Sequence, residues 1–326
     1  MASRVLSGMQ PSGLMHLGNL LGALENWKAL QTEHDCFFFA ADWHALSTNY
    51  ADTSRVKEFT QELLIDWLAA GIDPNKTTIF IQSQVPEHAI LHLLFSMIIP
   101  VPWLERNPTY KEKQDEIKEK DLSTYGFLGY PVLQAADILL YKPDLVPVGK
   151  DQLPHLELTR EVGRRFNSLY TPVFPEPKEF LTKFPKVLGI DGRKMSKSYH
   201  NTINLSDTEP VVRQKLKTMV TDPARVRRTD KGNPEICPVY DFHKIFSNES
   251  TIKQIDTDCR TAAIGCIDCK KQVSDALVER FSPMWETRAV VTAKPKRIQE
   301  VVEDGRIRAS RVANETMREV NEAMKI

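Results

Sequence analysis

The first half of the chain alternates between short apolar runs and longer segments in which apolar residues recur at helical spacing. The apolar, β-prone runs predict strands at 4–7, 36–41, 77–82 and 145–149. The periodic segments predict helices at 19–30, at 56–68, from 86 or 87 onward, at 130–141 and at 154–166. This alternation predicts an α/β fold with a Rossmann-like, doubly wound parallel sheet.

The pattern changes in the second half of the chain. Residues 170–185 contain four prolines and little periodicity, which predicts a connector. Amphipathic segments near 208–220, 271–283 and 297–324 then predict helices, and no β-rich alternation remains. We therefore expect a Rossmann-like domain at 1–190, with a charged insertion at about 100–124, and a mostly helical domain at 191–326.

Composition limits the class of protein. Lys and Arg number 43 and so do Asp and Glu, so any nucleic-acid partner must be held by a local basic patch. No run of eighteen apolar residues exists, so we expect no membrane span. The N-terminal residues 1–7 lack the apolar core of a signal peptide, which predicts a cytoplasmic protein.

Four of the five cysteines are close together in the sequence. Cys36 lies alone in an apolar run, which predicts a buried core residue. The other four have the spacing C-x21-C-x6-C-x2-C and are Cys237, Cys259, Cys266 and Cys269. Without an export signal this pattern predicts a metal site rather than disulfides, and zinc and an iron–sulfur cluster both accept four thiolates.

Two loops have the composition of phosphate-binding segments. Residues 8–18 are rich in Gly, Pro and Ser and lie between the first strand and the first helix, where backbone N–H groups face an anion in nucleotide-binding βα units. The second loop, Gly192–Ser198, has two lysines three residues apart with small hydroxyl residues beside them. Lysines on a mobile loop suit the neutralisation of phosphate charge, although a solvated surface loop is the alternative.

Together these loops resemble the signatures of a known family. Pro11–Asn19 and Lys194–Ser198 resemble the HIGH and KMSKS motifs of class I aminoacyl-tRNA synthetases. Three further segments, 8–13, 134–141 and 148–152, make the chain similar to bacterial tryptophanyl-tRNA synthetases over nearly its whole length. Asn19 stands where HIGH has its second histidine, and Lys150 stands where acidic residues also occur. Neither departure puts the activity in doubt.

The resemblance implies a tryptophan–tRNA ligase that activates L-tryptophan with ATP and Mg²⁺ and transfers it to tRNA(Trp). It also implies a homodimer and a helical anticodon-binding domain. The implied catalytic residues are His16, Asn19, Lys194 and Lys197. The implied ATP contacts are Gln10, Pro11, Ser12, Gly18, Asn19, Lys113, Gly149, Lys150, Asp151, Val187, Lys194, Met195, Ser196, Lys197 and Ser198.

Asp137 is the residue expected to set amino-acid specificity. It is a lone carboxylate in an apolar helix and needs a donor, and the indole N–H is the one polar group of the tryptophan ring. A donor from the protein itself is the alternative, and the resemblance favours the indole. The other expected tryptophan contacts are Leu6, Gln10, Ala41, His44, Tyr130, Gln134, Val146, Val148 and Gln152.

The cysteines and a nearby basic stretch are assigned with the help of the same resemblance. A subgroup of the family has a 4Fe–4S cluster in the anticodon-binding domain, so we expect such a cluster, with Zn²⁺ as the alternative. The basic residues Arg225, Arg227, Arg228 and Lys231 are expected to contact tRNA phosphates, or else to form a solvated face. Tyrosyl-tRNA synthetase and a non-catalytic RNA-binding paralogue are the competing functions.

Overall fold

The computed structural model describes residues 2–107, 110, 121–181 and 187–326. The chain forms two compact units. The first consists of Met1–Ser12, Glu25–Lys183 and Lys294–Ile326, and the second consists of Gly13–Leu24 and Phe184–Ala293. Each unit is therefore built from segments that are far apart in the sequence.

The first unit contains a five-stranded sheet in which all neighbouring strands are parallel. The strands are β1 (Arg4–Met9), β2 (Asp35–Ala40), β3 (Thr77–Ile81), β4 (Leu145–Val148) and β5 (Lys178–Leu181). Their order is β3-β2-β1-β4-β5, and Val5 of β1 pairs with Cys36 on one side and Leu145 on the other. From β1 the chain adds β2 and β3 on one side of the sheet and then returns to add β4 and β5 on the other side, so the strand order reverses between β1 and β4. In such sheets ligands bind outside the carboxyl ends of the strands at this switch point. The predicted α/β class is confirmed.

The helices alternate with the strands as far as β4, and helices follow one another in the later part of the chain. The α-helices are α1 (Leu17–Asn19), α2 (Glu25–Leu30), α3 (Asp42–Asn49), α4 (Val56–Ala69), α5 (Glu87–Ser96), α6 (Val101–Glu105), α7 (Tyr125–Tyr141), α8 (Leu153–Leu169), α9 (Glu209–Thr218), α10 (Pro238–Phe246), α11 (Glu249–Thr261), α12 (Cys266–Thr292) and α13 (Pro295–Met324). A π-helical turn spans Leu20–Leu24, and 3-10 turns span Gln82–Gln84, Lys150–Gln152, Lys197–Tyr199 and Pro234–Ile236. Among these helices, none combines the length and the apolar character that crossing a bilayer requires.

Strand β2 is buried on both faces, as its unbroken apolar run predicts. On one face Phe38 stacks on Trp27 with ring centroids 4.3 Å apart, and the edge of Trp27 meets Trp67 of α4. On the other face Phe37 contacts Tyr141 at 5.3 Å. Because Tyr141 is the last residue of α7, this core holds α7 against the sheet and so fixes the helix that carries Asp137.

The last helix differs from the sequence expectation, which placed it in the helical domain 191–326. Helix α13 belongs to the first unit and packs across β3. Gly305 lies so close to the strand that a Cβ there would be 1.7 Å from the carbonyl oxygen of Ile79. Arg308 Nη2 donates to the carbonyl oxygens of Pro74 and Thr77 at 3.0 and 2.9 Å. The amphipathic pattern revealed the helix, but not which apolar surface it covers.

The segment Gly13–Leu24 also differs from the expected division, because it belongs to the second unit. Its backbone pairs with the chain just after the lysine loop. The N–H of Leu17 donates to the carbonyl of Ile203 at 3.0 Å, and the N–H of Leu205 donates to the carbonyl of Met15 at 2.9 Å. These long-range backbone bonds attach the segment around residues 15–17 to residues 203–205.

Several elements were not predicted, among them helix α3. Strand β5 lies in the proline-rich stretch that predicted a connector, and each of its residues is exposed, so it lacks an apolar pattern. Helices α10 and α11 are amphipathic, and the sequence analysis overlooked their pattern. Of the charged insertion, residues 111–120 lie outside the described residues, and Val101–Glu105 forms α6.

Candidate active site

His16 begins the first helix through a reciprocal pair of hydrogen bonds. The N–H of Gly18 donates to His16 Nδ1 at 3.1 Å, and the N–H of His16 donates to Asn19 Oδ1 at 3.1 Å. This is a capping box in which a histidine ring replaces the usual hydroxyl. Because Nδ1 accepts a hydrogen bond, the proton of the neutral ring lies on Nε2, which is therefore a donor.

The surroundings of His16 keep its ring neutral. Burial, with the added effect of the positive charge of Lys197, lowers the pKa of His16 from 6.5 to about 4. Gly18 is needed for the cap, since a Cβ there would lie 2.9 Å from His16 Cε1. At neutral pH the ring is thus an uncharged hydrogen-bond donor at the start of a helix.

The lysine loop contacts the same segment within the second unit. Lys197 Nζ donates to the carbonyl oxygen of Gly13 at 2.9 Å, and residues 16 and 204 form an antiparallel bridge. Lys194 and Ser198 are exposed, Ser196 is half-buried, and Met195 is 4% exposed and anchors the loop. Lys197 of the lysine loop and Gly13 of the N-terminal signature segment are thus in direct contact.

Asn201 holds the lysine loop in shape, and sequence reasoning did not find it. The residue is 1% exposed. Its Oδ1 accepts from the N–H of Ser196 at 2.8 Å, and its Nδ2 donates to Asp191 Oδ1 at 2.7 Å and to the carbonyl of Lys194 at 3.2 Å. The signal for it in the sequence was only an asparagine three residues after the motif.

Asp137 is a buried carboxylate with three donors around it in the first unit. The residue is 1% exposed. Oδ1 accepts from Gln82 Nε2 at 2.7 Å and from His88 Nδ1 at 2.7 Å, and Oδ2 accepts from His44 Nε2 at 2.8 Å. Burial would raise the pKa of Asp137, but the hydrogen bonds from His44 and His88 outweigh it and lower the pKa to about 2. The carboxylate is therefore ionised.

Tyr130 and Gln152 are joined through a histidine that was not predicted as a site residue. His155 is 2% exposed. Its Nε2 lies 2.9 Å from Tyr130 Oη, and its Nδ1 lies 3.1 Å from Gln152 Oε1. Burial raises the pKa of Tyr130 above its usual value, so the phenol keeps its proton. The structure thus joins two of the expected tryptophan contacts through one buried histidine.

The remaining expected tryptophan contacts lie in the first unit, on β1, β4 and α7 and just after β1 and β2. Leu6, Ala41 and Val146 are buried, at 1%, 5% and 5% exposure, while Gln134 and Val148 are half-buried. Gln10 Nε2 donates to the carbonyl oxygen of His44. A half-open cavity of about 210 Å³ is lined by Trp43, Leu46, His92, Tyr125, Tyr130 and Leu133 among others, and shares only Tyr130 with the expected set.

The expected ATP contacts divide between the two units. Those in the first unit are Gln10, Pro11, Ser12, Gly149, Lys150 and Asp151. Those in the second are Gly18, Asn19, Val187, Lys194, Met195, Ser196, Lys197 and Ser198. Val187 is 4% exposed, and its carbonyl accepts from the N–H of Met195 at 2.9 Å. Lys113 lies outside the described residues.

The four clustered cysteines lie at the ends of three helices of the second unit. Cys237 immediately precedes α10, Cys259 lies in the last turn of α11, and Cys266 and Cys269 lie in the first turn of α12. All four are free thiols, and burial followed by the charges of the other three raises the pKa of Cys269 to about 12. Among the described residues, no three His, Cys, Asp or Glu side chains are grouped to hold one metal ion.

Arg225 has a different environment from the rest of its basic stretch. It is 9% exposed, and its Nη1 lies 3.6 Å from Cys259 Sγ. Its Nη2 donates to the backbone carbonyls of Ile264 and Arg228. Arg227, Arg228 and Lys231 are exposed. The guanidinium of Arg225 is thus directed into the protein, which differs from the phosphate contact expected of it.

Comparison with known proteins agrees with this geometry. The family described as tRNA synthetases class I (W and Y) matches residues 1–282. The tryptophan–tRNA ligases of Thermotoga maritima and Ralstonia nicotianae are 54% and 44% identical to this chain, over 99% and 98% of both chains. The crystal structure of tryptophanyl-tRNA synthetase from Campylobacter jejuni complexed with ADP and tryptophan superposes with a TM-score of 0.91 at 32% identity, covering 99% of this chain and 100% of that one.

Class I tRNA synthetases combine a parallel sheet whose strand order reverses with a histidine-capped helix and a lysine loop. This chain has the sheet in its first unit and the helix and loop in its second, and it belongs to that family. Within the family it is a bacterial tryptophanyl-tRNA synthetase.

Proposed function

We propose that the chain activates L-tryptophan with ATP to tryptophanyl-adenylate and transfers the acyl group to the 3′ end of tRNA(Trp), through the residues described above. The observation that carries this assignment is the contact between the two signature segments, in which Lys197 reaches Gly13 beside the neutral ring of His16. Mg²⁺ arrives with the phosphates of ATP. Because charged tRNA is consumed in translation, the cytoplasm is the proposed compartment.

Activation is an attack by the tryptophan carboxylate on the α-phosphorus of ATP, which expels pyrophosphate. The carboxylate is already ionised at neutral pH, so no general base is required. Catalysis then consists of positioning and of stabilising charge on phosphate oxygens. His16 donates from Nε2 to a phosphate oxygen, and Lys194 and Lys197 neutralise the leaving pyrophosphate. A charged imidazolium is not needed for this role, since a neutral N–H donor suffices.

Asp137 is proposed to accept the indole N–H and so to select tryptophan. Support comes from its burial and its ionised state, because a site with a desolvated acceptor strongly rejects a side chain that lacks the matching donor. Tyrosine also has a donor, its phenolic O–H, so the selection between the two depends on where in the pocket the donor meets Asp137. Tyr130 and Gln152, linked through His155, are proposed to bind the ammonium group.

The assignment is tested by ATP–pyrophosphate exchange with tryptophan and tyrosine in parallel. We expect exchange with tryptophan alone, whereas exchange with tyrosine alone would favour a tyrosyl enzyme. Lys194→Ala and Lys197→Ala should each lower the exchange rate at least tenfold. Lys270→Ala is the matched control, because Lys270 Nζ also donates to a backbone carbonyl of the second unit, that of Lys217 at 3.0 Å. Unchanged exchange in both loop variants would contradict the role proposed for the loop, and no exchange with either amino acid would favour a non-catalytic paralogue.

A homodimer is proposed through the first unit. Helix α5 and the residues after it expose large apolar side chains, with Leu93 at 53%, Met97 at 71% and Val101 at 52%. Such a patch on one face suits association with a second copy. Light scattering of the purified chain should give twice the mass of one chain, and Leu93→Lys should give a monomer. A wild-type monomer would remove this proposal.

A 4Fe–4S cluster is proposed on the four cysteines. Each thiolate of such a cluster binds a different iron, whereas the four sulfurs of a zinc site meet around one ion at mutual distances of about 3.8 Å. Burial, and then the charges of the neighbouring cysteines, raise the pKa of Cys259 and of Cys269, so the four thiols lie near one another, as a shared metal site requires. The resemblance to the family favours the cluster over zinc. When bound, the cluster would fasten three helix ends together.

The cluster is tested by metal and sulfide analysis of anaerobically purified protein. We expect about four irons and four sulfides per chain, with a broad visible absorbance. Stoichiometric zinc in a colourless protein would select the alternative, and the absence of any metal would remove the proposed site.

Arg227, Arg228 and Lys231 are proposed as tRNA phosphate contacts, and Arg225 is withdrawn from that set because its guanidinium is buried.

A further inference from the structure

The carboxylate of Asp137 has further polar groups behind it. Gln82, His88 and Tyr141 are each 0% exposed, so bulk solvent does not reach them. His88 bridges the other two groups, with Nδ1 at 2.7 Å from Asp137 Oδ1 and Nε2 at 2.9 Å from Tyr141 Oη. The result is a buried chain that runs from the phenol through the imidazole to the carboxylate.

The direction of each hydrogen bond in this chain follows from the charge of Asp137. An ionised carboxylate only accepts, so His88 Nδ1 carries a proton and donates it to Oδ1. The other nitrogen of a neutral ring is an acceptor, and Tyr141 Oη donates to it. Burial and the nearby negative charges of Asp137 and Glu87 raise the pKa of Tyr141 well above its usual value, so the phenol keeps the proton that it donates.

Packing fixes the ring of His88 in this orientation. Its centroid lies 5.8 Å from Phe39, 6.0 Å from Phe80 and 5.4 Å from Tyr141. Rotating the imidazole out of line would open a void in this aromatic cluster, which costs free energy in a close-packed core. The donor to Oδ1 is therefore held by both its polar partners and its apolar neighbours.

The two oxygens of Asp137 are occupied unequally. A carboxylate oxygen accepts about two hydrogen bonds. Among the described residues, Oδ1 receives both Gln82 and His88, while Oδ2 receives only His44. Oδ1 is thus filled from inside the protein, and capacity for one further donor remains at Oδ2.

We propose that Gln82, His88 and Tyr141 are positioning residues for tryptophan specificity, which saturate Oδ1 of Asp137 and turn Oδ2 toward the indole N–H. This inference rests on the proposed role of Asp137 as the indole acceptor. Tyr141 does not touch the substrate in this arrangement. It acts through His88, by fixing the tautomer whose Nδ1–H faces the carboxylate.

The experiment uses a substrate pair that differs only at the group in question. L-tryptophan and L-β-(3-benzothienyl)alanine differ by N–H against sulfur, so the ratio of their kcat/KM values in ATP–pyrophosphate exchange reports the hydrogen bond to the indole N–H. Both values come from one preparation, so the folded fraction cancels in the ratio. Tyr141→Phe removes one hydroxyl from the chain and keeps the ring that packs in the core.

In Tyr141→Phe we expect the ratio to fall about fivefold to tenfold, through a higher KM for tryptophan, with kcat and the benzothienyl substrate nearly unchanged. His88→Asn, which keeps a donor near Oδ1, should retain more of the ratio than His88→Ala. Tyr170→Phe is the matched control, because Tyr170 lies in the same unit and packs on Phe166 with centroids 4.9 Å apart. The control should keep the wild-type ratio.

Two further outcomes test the positioning role of Tyr141 and the indole contact of Asp137 separately. Tyr141→Phe with a wild-type ratio, or with equal losses for both substrates, would overturn the positioning role and leave an ordinary structural network. Asp137→Leu, which has no acceptor, measures the proposed function independently. A wild-type ratio in Asp137→Leu would show that Asp137 does not accept the indole N–H, whereas a collapsed ratio there with an intact ratio in Tyr141→Phe would refute only the positioning role.

Discussion

At the scale of single residues, His16 combines two tasks in one ring. Nδ1 completes the cap of a helix, and this fixes Nε2 as the protonated nitrogen. The nearby ammonium of Lys197 disfavours a second proton on the ring, as burial does. The cap and the lysine therefore produce the same chemical state, a neutral donor whose direction is set before ATP binds.

The first prediction concerns the titration of His16. Its folded pKa, about 4, lies below the value of 6.5 for an unfolded chain, so the stabilisation is complete above pH 6.5 and is lost as pH falls towards 4. Over that range the free energy of unfolding should fall by up to about 3 kcal/mol more in the wild type than in His16→Asn. Chemical denaturation at a series of pH values measures this difference.

The control for this prediction is a variant that removes the positive charge of Lys197. In Lys197→Met the pKa of His16 should rise towards 6.5, because one cause of its depression is gone, and NMR titration of the ring protons measures the change. A pKa of His16 near 6.5 in the wild type would show that the ring is not buried against the lysine in solution.

At the scale of elements, the packing of α13 on β3 depends on one missing side chain. Gly305 allows the helix backbone to lie against the strand, because any Cβ would overlap the carbonyl of Ile79. A backbone carbonyl cannot move aside without breaking the sheet, unlike the end of a flexible side chain. The helix and the strand therefore have to separate if residue 305 gains a methyl group.

The second prediction follows from that contact. Gly305→Ala should lower the free energy of unfolding by about 3 kcal/mol or more, despite the better helix propensity of alanine. Gly126→Ala is the control, since Gly126 is also helical and a Cβ there meets nothing within 4 Å. Denaturant unfolding measures the free energy of unfolding of both variants, and equal values for the two would contradict the close packing of α13 on β3.

The elements divide clearly into those that the sequence predicts and those that it does not. Strands β2 and β3 were predicted because they are almost fully buried β-prone runs, and β1 and β4 because each contains a short apolar run. Strand β5 is an edge strand made of exposed residues, so backbone hydrogen bonding to β4 defines it and its composition does not. Helix boundaries were close, while the surface that α13 covers depends on residues more than two hundred positions earlier.

The candidate site shows the same division. His16, the two lysines of the loop and Asp137 were predicted, because they stand in motifs or are a lone charge in an apolar run. His88, Asn201 and His155 were not predicted, because each acts by holding another polar group. Their partners lie 49, 5 and 25 positions away in the sequence. Such contacts exist only once the chain has folded.

At the scale of the whole molecule, each of the two compact units is assembled from segments that are separated in the sequence. The second unit takes Gly13–Leu24 from the beginning of the chain, and the first unit takes Lys294–Ile326 from its end. A division of the chain at residue 190 therefore separates neither unit cleanly. Removing the C-terminal helix should affect amino-acid activation as well as tRNA binding.

The third prediction tests that statement. A chain ending at residue 293 should lose most tryptophan-dependent ATP–pyrophosphate exchange, because β3 loses the apolar cover that Ala309, Val312 and Met317 provide. Glu315→Ala is the control, since Glu315 lies on the exposed side of α13 and its loss leaves that cover in place. Exchange at the wild-type rate in the shortened chain would show that α13 is dispensable for the first unit.

The place of α13 in the chain also sets an order of events during synthesis. Proteins are made from the N-terminus, and domains fold as their residues become available. All segments of the second unit precede residue 294, so that unit has its full sequence while the chain is still attached to the ribosome. The first unit receives α13 only after every segment of the second unit has been made. A chain interrupted before residue 294 would therefore contain a complete lysine loop and all four clustered cysteines, but a sheet with an uncovered edge strand, a state that chaperones and proteases recognise.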